Sequence, residues 1–372
     1  MVAKLNTHLA VVTQGPKQAR LVTDRPIPSL RDDYMLVRTV TVTLIVGFFF
    51  SHHDAVALNP TDWKHIDLVP SDGCTVGCDF AGIVEEVGPK VPERFQKGDR
   101  VLGLTHGCNA VEPEDGAFGQ YVMAKGNGQL KIPGWMSWED ACTVGVGYTT
   151  VGQSLYQNLG IPMPGKPRSA TTPKIVLIYG GSTATGTLAI QCAKLSGMEV
   201  ITTCSVSNFD MVKELGADAV FDYSKPNAAA EIRRYTRDNL KLCFDTVAMA
   251  TSAQFCAEAL TSKAGGRYHT LQELRCPRRD VRSTVSMAYT VVGEPYTMGP
   301  QKVPAKPIDM KHHLIWQSVF QDLLDQGKIK THPVSKQPYG LKGVLSGLDM
   351  LRENKVRGQK LVYRVDETPH QF

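Results

Sequence analysis

Val176-Leu-Ile-Tyr-Gly-Gly-Ser-Thr-Ala-Thr-Gly186 runs directly into Thr187-Leu-Ala-Ile-Gln-Cys-Ala-Lys194. The apolar run Ile175–Tyr179 reads as a strand buried on both faces. Two glycines then predict a tight turn, and Thr185–Gly197 has helical character. Such a turn aims helix-start amides at one point, where a pyrophosphate would sit, and glycine lets the backbone approach it. The loop is not a strict G-x-G-x-x-G. Beside Gly180 and Gly181 it carries Ser182, Thr183 and Thr185, whose hydroxyls are able to bond phosphate directly. Any strand–turn–helix of an α/β protein would start in the same way, so the flanking pattern has to decide.

Downstream, strand and helix alternate. Glu199–Thr203, Ala219–Asp222 and Leu242–Asp245 read as strands, while Asn208–Gly216 and Asn227–Asn239 read as helices. That order predicts a parallel sheet with helices on both faces. At the end of the second strand an NAD site usually has an acid that holds the ribose 2′-hydroxyl. Here Thr202-Thr-Cys-Ser-Val-Ser-Asn208 has none. A carboxylate would repel a 2′-phosphate, whereas Ser205 and Asn208 can bond one, so the expected cofactor is NADPH. Ser207 or Asn208 serving simply as a helix cap is compatible with this.

Upstream, the first 135 residues are strand-like and punctuated by turns, as in Tyr34–Val40, Ala81–Gly88 and Lys97-Gly-Asp-Arg-Val101. Ser137–Leu159 turns helical, with Ser137 as N-cap, and the proline-rich stretch 161–173 reads as a loop or joint. Helices at Asp309–Gln326 and Leu341–Glu353 and a strand at Lys360–Arg364 close the chain. The expected division is a β-rich domain over 1–165, a nucleotide-binding domain over 166–308, and a return to the first domain over 309–372.

The chain has 372 residues, 42% hydrophobic and 21% charged, with a net charge of +5. This is a globular composition and excludes disorder for most of the chain. The best apolar run, Val40–Phe50, is about half the roughly 20 residues of a spanning helix, so no membrane segment is expected. The N-terminus lacks a signal core, and nine scattered cysteines read as reduced thiols, so a cytoplasmic location is expected. No basic-aromatic motif points to nucleic acid.

Two further motifs carry chemistry: Asn59-Pro-Thr-Asp-Trp-Lys64 and Gly77-Cys-Asp-Phe-Ala-Gly82. With "VGPKV", "KGDRV", the glycine loop, "LGADAVFDY" and "GQKLV" in that order, nearly the whole chain resembles the medium-chain dehydrogenase/reductase superfamily. The resemblance implies a GroES-like β-rich catalytic domain and a Rossmann doubly wound parallel sheet. In zinc-dependent members a Cys and a Gly-His-Glu stand where this chain has Asn59–Asp62 and Cys78-Asp-Phe80. No structural-zinc cysteine cluster follows Cys108 either, so no metal is expected. "Tyr-Gly-Gly-Ser-Thr-Ala-Thr" at 179–185, "Thr-Cys-Ser-x-x-Asn-Phe-Asp" at 203–210 and "Gly-Ala-Phe-x-Gln-Tyr" at 116–121 are most similar to fungal trans-acting enoyl reductases.

That likeness implies NADPH-dependent reduction of an α,β-unsaturated polyketide thioester. The carrier would be an acyl carrier protein domain of a polyketide synthase or of a synthase–peptide synthetase fusion. It places Lys64 and Thr150 where substrate meets nicotinamide, with Tyr148 lining the same pocket. It puts Tyr223 near the adenosine and Lys360 near the nicotinamide end. A monomer is favoured. A zinc-free quinone or enone reductase and a non-catalytic NADPH-binding partner of a synthase are the alternatives. Against the family pattern, Thr41–Asp54 intervenes as about 14 extra residues. Three consecutive phenylalanines need pyrimidine-rich codons, so the stretch is read first as a translated intron and second as an inserted hairpin.

Overall fold

The structure, a computed structural model, describes residues 6–39, 41–45, 48–52, 54–69, 71–166 and 174–369. In chain order, β1 (Thr7–Thr13) and β2 (Ala19–Pro26) form an antiparallel pair. Then come β3 (Tyr34–Arg38), β4 (Thr41–Ile45), β5 (Phe48–His52), β6 (Ala55–Ala57) and α1 (Pro60–Leu68). β7 (Asp79–Val87), β8 (Arg100–Leu104), β9 (Tyr121–Lys125) and β10 (Gln129–Lys131) precede α2 (Trp138–Ala141) and α3 (Gly145–Val151). Strands and helices then alternate: β11 (Ile175–Tyr179), α4 (Ala184–Leu195), β12 (Glu199–Cys204), α5 (Phe209–Glu214), β13 (Ala219–Asp222), α6 (Ala228–Tyr235), β14 (Leu242–Asp245) and α7 (Ala250–Ala259). The chain closes with β15 (Arg267–Thr270), β16 (Arg282–Val285), β17 (Tyr296–Met298), β18 (Gln301–Val303), α8 (Pro307–Asp325), β19 (Val334–Gln337), α9 (Gly340–Arg352) and β20 (Lys360–Arg364).

Two units result. One comprises Met1–Val146, Tyr289–Gln317 and Pro333–Phe372; the other comprises Gly147–Ala288 and Ser318–His332. The first is built on an eight-stranded sheet with the path β10-β8-β7-β6-β20-β19, and β3 joins it through β7 and β9. Its core includes Val37, Val56, Phe80, Val122 and Leu341, all at 0% exposure. The second holds a six-stranded sheet, β13-β12-β11-β14-β15-β16, parallel throughout. The strand order reverses between β11 and β14, which is the doubly wound arrangement with its ligand crevice at the switch point. The expected fold class is the observed one.

The boundaries differ from 165/166 and 308/309. The π-helical stretch Gly152–Asn158 belongs to the second unit: the Tyr156 hydroxyl donates to Cys192 O, and Arg267 donates to Leu159 O. Residues 289–308 belong to the first unit: Tyr34 donates to Glu294 at 2.6 Å, and Tyr289 O–H lies 3.3 Å from Cys78 Sγ. Contacts between residues distant in sequence decide both points, and a proline-rich joint does not report them. Residues 167–173 of that joint, and residues 1–5, on which the N-terminal reading rests, lie outside the described residues.

The stretch 41–54 forms a hairpin. β4 and β5 pair with each other, Thr41 opposite His52, in a sheet of their own. Val46, Gly47 and His53 lie outside the described residues. β3 and β6 lie end to end along the same edge of β7, with Arg38 opposite Ile83 and Ala55 opposite Ala81. All nine cysteines are buried free thiols.

Candidate active site

Lys64 sits on α1, and the start of α1 is built by Asn59-Pro-Thr-Asp62. Proline at the first helical position is preset for the helix. The Asp62 carboxylate turns back to accept from the Asn59 N–H at 2.6 Å. Asp62 is 1% exposed, and burial pushes its carboxyl up to about 7. Lys64 is half-buried, its ammonium 5.9 Å from the Trp63 ring centroid, and desolvation lowers its pKa. Lys64 makes no hydrogen bond or ion pair to another described residue, so its ammonium is available to an added anion or developing oxyanion.

Behind α1 lies a polar and aromatic cluster. Cys78 Sγ and Thr61 Oγ1 each lie 3.3 Å from the Tyr289 hydroxyl, and His65 Nδ1–H donates to Thr61 O at 2.8 Å. His106 stacks on Tyr289 at 3.7 Å between ring centroids, and burial holds its imidazole down near 3, hence neutral. These rings form one wall of a cavity of about 270 Å³, lined also by Leu104, Met123 and Tyr296. Lys125 also lines it and donates to Asp33 at 2.6 Å and to Glu294. The sequence reading missed Tyr289 and His106, which carry no motif and are brought to α1 only by folding.

Thr150 and Tyr148 both lie on α3, in the second unit. Thr150 is 7% exposed. Tyr148 departs from the expectation of a pocket-lining residue: it is fully buried and stacks on Phe320 at 5.2 Å, so its ring serves the core. A helical period gives the face a residue occupies but not what covers that face.

The glycine turn between β11 and α4 is formed as the sequence predicted. Gly180 has φ +82°, and a Cβ on Gly181 would come within 2.0 Å of Thr202 Oγ1. Thr183 caps α4 by accepting from the Gly186 N–H at 2.9 Å, and its hydroxyl also lies 3.0 Å from Thr246 Oγ1. Ser182 and Thr185 flank that cap, partly exposed. The turn leaves a cradle at the N-terminus of a 12-residue helix, where helix-start amides favour an anion. At the end of β12, Asn208 Nδ2 donates to Ser205 Oγ at 3.1 Å, and Ser207 Oγ lies 3.3 Å from Ser205. Asn208 is the N-cap residue of α5 by position but makes no side-chain cap bond. Tyr223 follows β13 directly and is 46% exposed, its ring 6.3 Å from that of Tyr179. The cradle and the acid-free strand end fit a nicotinamide dinucleotide.

Lys360 is in the first unit, on β20. Its ammonium donates to Asp79 and, at 3.2 Å, to Thr143 O, with a side-chain exposure of 3%. This departs from the expectation of a cofactor contact, because buried partners already take up the charge. The same pair bears on metal. The Asp79 carboxylate carries a lysine cation, and no group of three His, Cys, Asp or Glu among the described residues is placed to hold an ion. The residues present therefore do not fit a catalytic zinc.

A unit built on the eight-stranded sheet and a nucleotide-binding unit with a doubly wound parallel sheet define the class: a dehydrogenase/reductase of two-domain, nicotinamide-dependent type. The family description "Alcohol dehydrogenase GroES-like domain" matches residues 52–134, and "Zinc-binding dehydrogenase" matches 184–273. Over 370 residues, covering 96% of this chain and 99% of the relative, the chain is 47% identical to trans-enoyl reductase resD of Aspergillus sclerotiorum. It is 52% identical to trans-enoyl reductase TOXD of Cochliobolus carbonum over 288 residues, 77% of this chain and 91% of that one. The chain belongs to the trans-enoyl reductase family. Among solved structures, CurK enoyl reductase shares the fold with a TM-score of 0.70 at 17% identity, over 95% of this chain and 98% of that one. The quinone oxidoreductase of Coxiella burnetii does so at 0.65 and 22%, over 96% and 99%.

Proposed function

We propose that this chain reduces the α,β-double bond of an acyl thioester carried on the acyl carrier protein of a polyketide synthase, with NADPH. One observation carries the reading: a chain with a formed phosphate cradle is 47% identical, over nearly its full length, to a trans-enoyl reductase. Ser205 and Asn208 at the acid-free end of β12 support NADPH over NADH, since they offer hydrogen-bond donors where a carboxylate would repel a 2′-phosphate.

Gly180, Gly181, Ser182, Thr183 and Thr185 would hold the pyrophosphate, and Tyr223 would lie by the adenosine. When bound, the reduced nicotinamide supplies a hydride for Cβ of the acyl chain. Charge would develop on the thioester oxygen and be discharged when Cα takes a proton from water, so the residues that matter are those that donate to that oxygen. Lys64 would serve that role with an ammonium that has no hydrogen-bond or ion-pair partner among the described residues, and the Thr150 hydroxyl would be the second donor. Neither needs to form a covalent bond, so catalysis rests on placement and electrostatics. The acyl chain would lie against the Tyr289, Met123 and Tyr296 wall of the cavity.

The test follows reduced-nicotinamide absorbance with a 2-enoyl pantetheine thioester, the same acyl group on a carrier protein, and a small quinone. Turnover of the thioester with NADPH, faster on the carrier and slower with NADH, is the expected result. Turnover of the quinone alone would overturn it in favour of a quinone reductase. Tight NADPH binding with no turnover of any acceptor would favour a non-catalytic partner.

A further inference from the structure

Asp79, the first residue of β7, is 0% exposed and has three partners, each from a different segment. One carboxylate oxygen accepts from Asn59 Nδ2 at 2.9 Å and from the Lys360 ammonium; the other accepts from the Val146 N–H at 2.6 Å. Asn59 is the N-cap of α1, the helix of Lys64. Val146 lies in the first turn of α3, the helix of Thr150. Lys360 begins the closing strand β20 and also bonds Thr143 O, just before α3. Gly145 has no room for a side chain: a Cβ there would meet Gly103 O at 2.2 Å and Asp79 Oδ1 at 2.6 Å.

A carboxylate and an ammonium withdrawn from water stabilise a fold only when geometry and further hydrogen bonds are good, and an apolar pair often does as well. Here each ion makes additional bonds to the start of a helix that bears a candidate oxyanion donor. We propose that Asp79 and Lys360 are positioning residues that fix the starts of α1 and α3, so that each helix carries its own donor, Lys64 or Thr150, from a fixed start. This rests on the roles given above to Lys64 and Thr150, and it reassigns Lys360 from cofactor contact to positioning.

Asp79→Asn puts an amide N–H₂ among donors. If its oxygen keeps Val146, its nitrogen faces Asn59 and Lys360. The expected kinetic result is a kcat lower by about 100-fold, the scale of a misplaced catalytic group, with NADPH affinity kept, because the phosphate cradle belongs to the other unit. Lys360→Arg, which keeps the cation, should retain more kcat than Lys360→Met. Should the single Asp79 variant not fold, Asp79→Asn with Lys360→Gln removes both charges together and is expected to show the same loss. Wild-type kcat in either folded variant overturns the proposal.

Amide exchange measures the holding without activity. In the Asp79 variant, peptides spanning 59–64 and 145–151 should exchange about tenfold faster, while 184–195 is unchanged. Unchanged exchange in the first two peptides overturns the proposal whatever the chemistry. In a double-mutant cycle, Asp79→Asn should add little on top of Lys64→Met with Thr150→Val. If that Lys64–Thr150 double variant keeps full activity while the exchange effect stands, the roles of those two residues fail and the holding does not.

Discussion

Asp62 shows how far a single residue's setting can depart from its motif. Its carboxyl is fully buried at the start of α1 and is raised from an ordinary 3.8 to about 7, first by desolvation and then by the nearby charge of Asp79. The folded state therefore holds a proton that the unfolded state has lost between about pH 4 and about 7, and stability falls as pH rises across that window. Asp62→Asn keeps an oxygen for the Asn59 N–H and removes the titration. In urea unfolding at a series of pH values, the variant should show a smaller fall between those limits than the parent. Equal slopes would refute the assignment. His106 acts in the opposite sense, since burial lowers it to about 3 and its contribution is lost as pH falls below 6.5. Comparison of the two chains at each pH cancels that contribution. The sequence set Asp62 and Lys64 in one motif, which the structure shows to open a helix. It gave no sign that Tyr148 would pack against Phe320 or that Lys360 would bond a carboxylate 281 residues away.

Among the elements, the hairpin of β4 and β5 has the clearest consequence. Along β7, two steps from Ile83 to Ala81 require two steps on the antiparallel partner, from Arg38 past Thr39 to one further residue. Ala55 stands on that rung, so β3 and β6 continue one strand line from which the hairpin is looped out. The GroES-like family match begins only at residue 52. Deleting 40–54 should thus leave the eight-stranded sheet in register and still deliver Asn59–Lys64 to the site. The shortened chain is expected to be soluble, to melt no lower than the parent, and to give the same circular dichroism per sheet residue. Failure of the shortened chain to fold would show that the hairpin supports the sheet. The extra length was legible in the sequence as an interruption of a family pattern. That it interrupts a single strand needed the register of β7.

For the molecule as a whole, two units assembled from interleaved segments make ligand linkage a direct probe. A dinucleotide that binds only the folded cradle raises stability by about 2.7 kcal/mol at 100 times its dissociation constant. NADPH at saturation should raise the melting temperature, NADH at equal concentration should raise it less, and amide protection should concentrate at 175–208. An equal shift with both cofactors would remove the argument from the acid-free end of β12. The sequence by itself determined the nucleotide-binding unit. A buried strand, glycine turn and helix are local patterns, and their alternation leaves few ways to build a parallel sheet. It also singled out Asn59–Lys64 as a motif that carries chemistry. Only the tertiary structure decided where the units divide, that Tyr289 and His106 join α1, and that Asp79 and Lys360 meet. Each of these depends on a desolvated contact between residues far apart in the chain. Such a contact is set by which faces are brought together and is not recorded in the spacing of either partner.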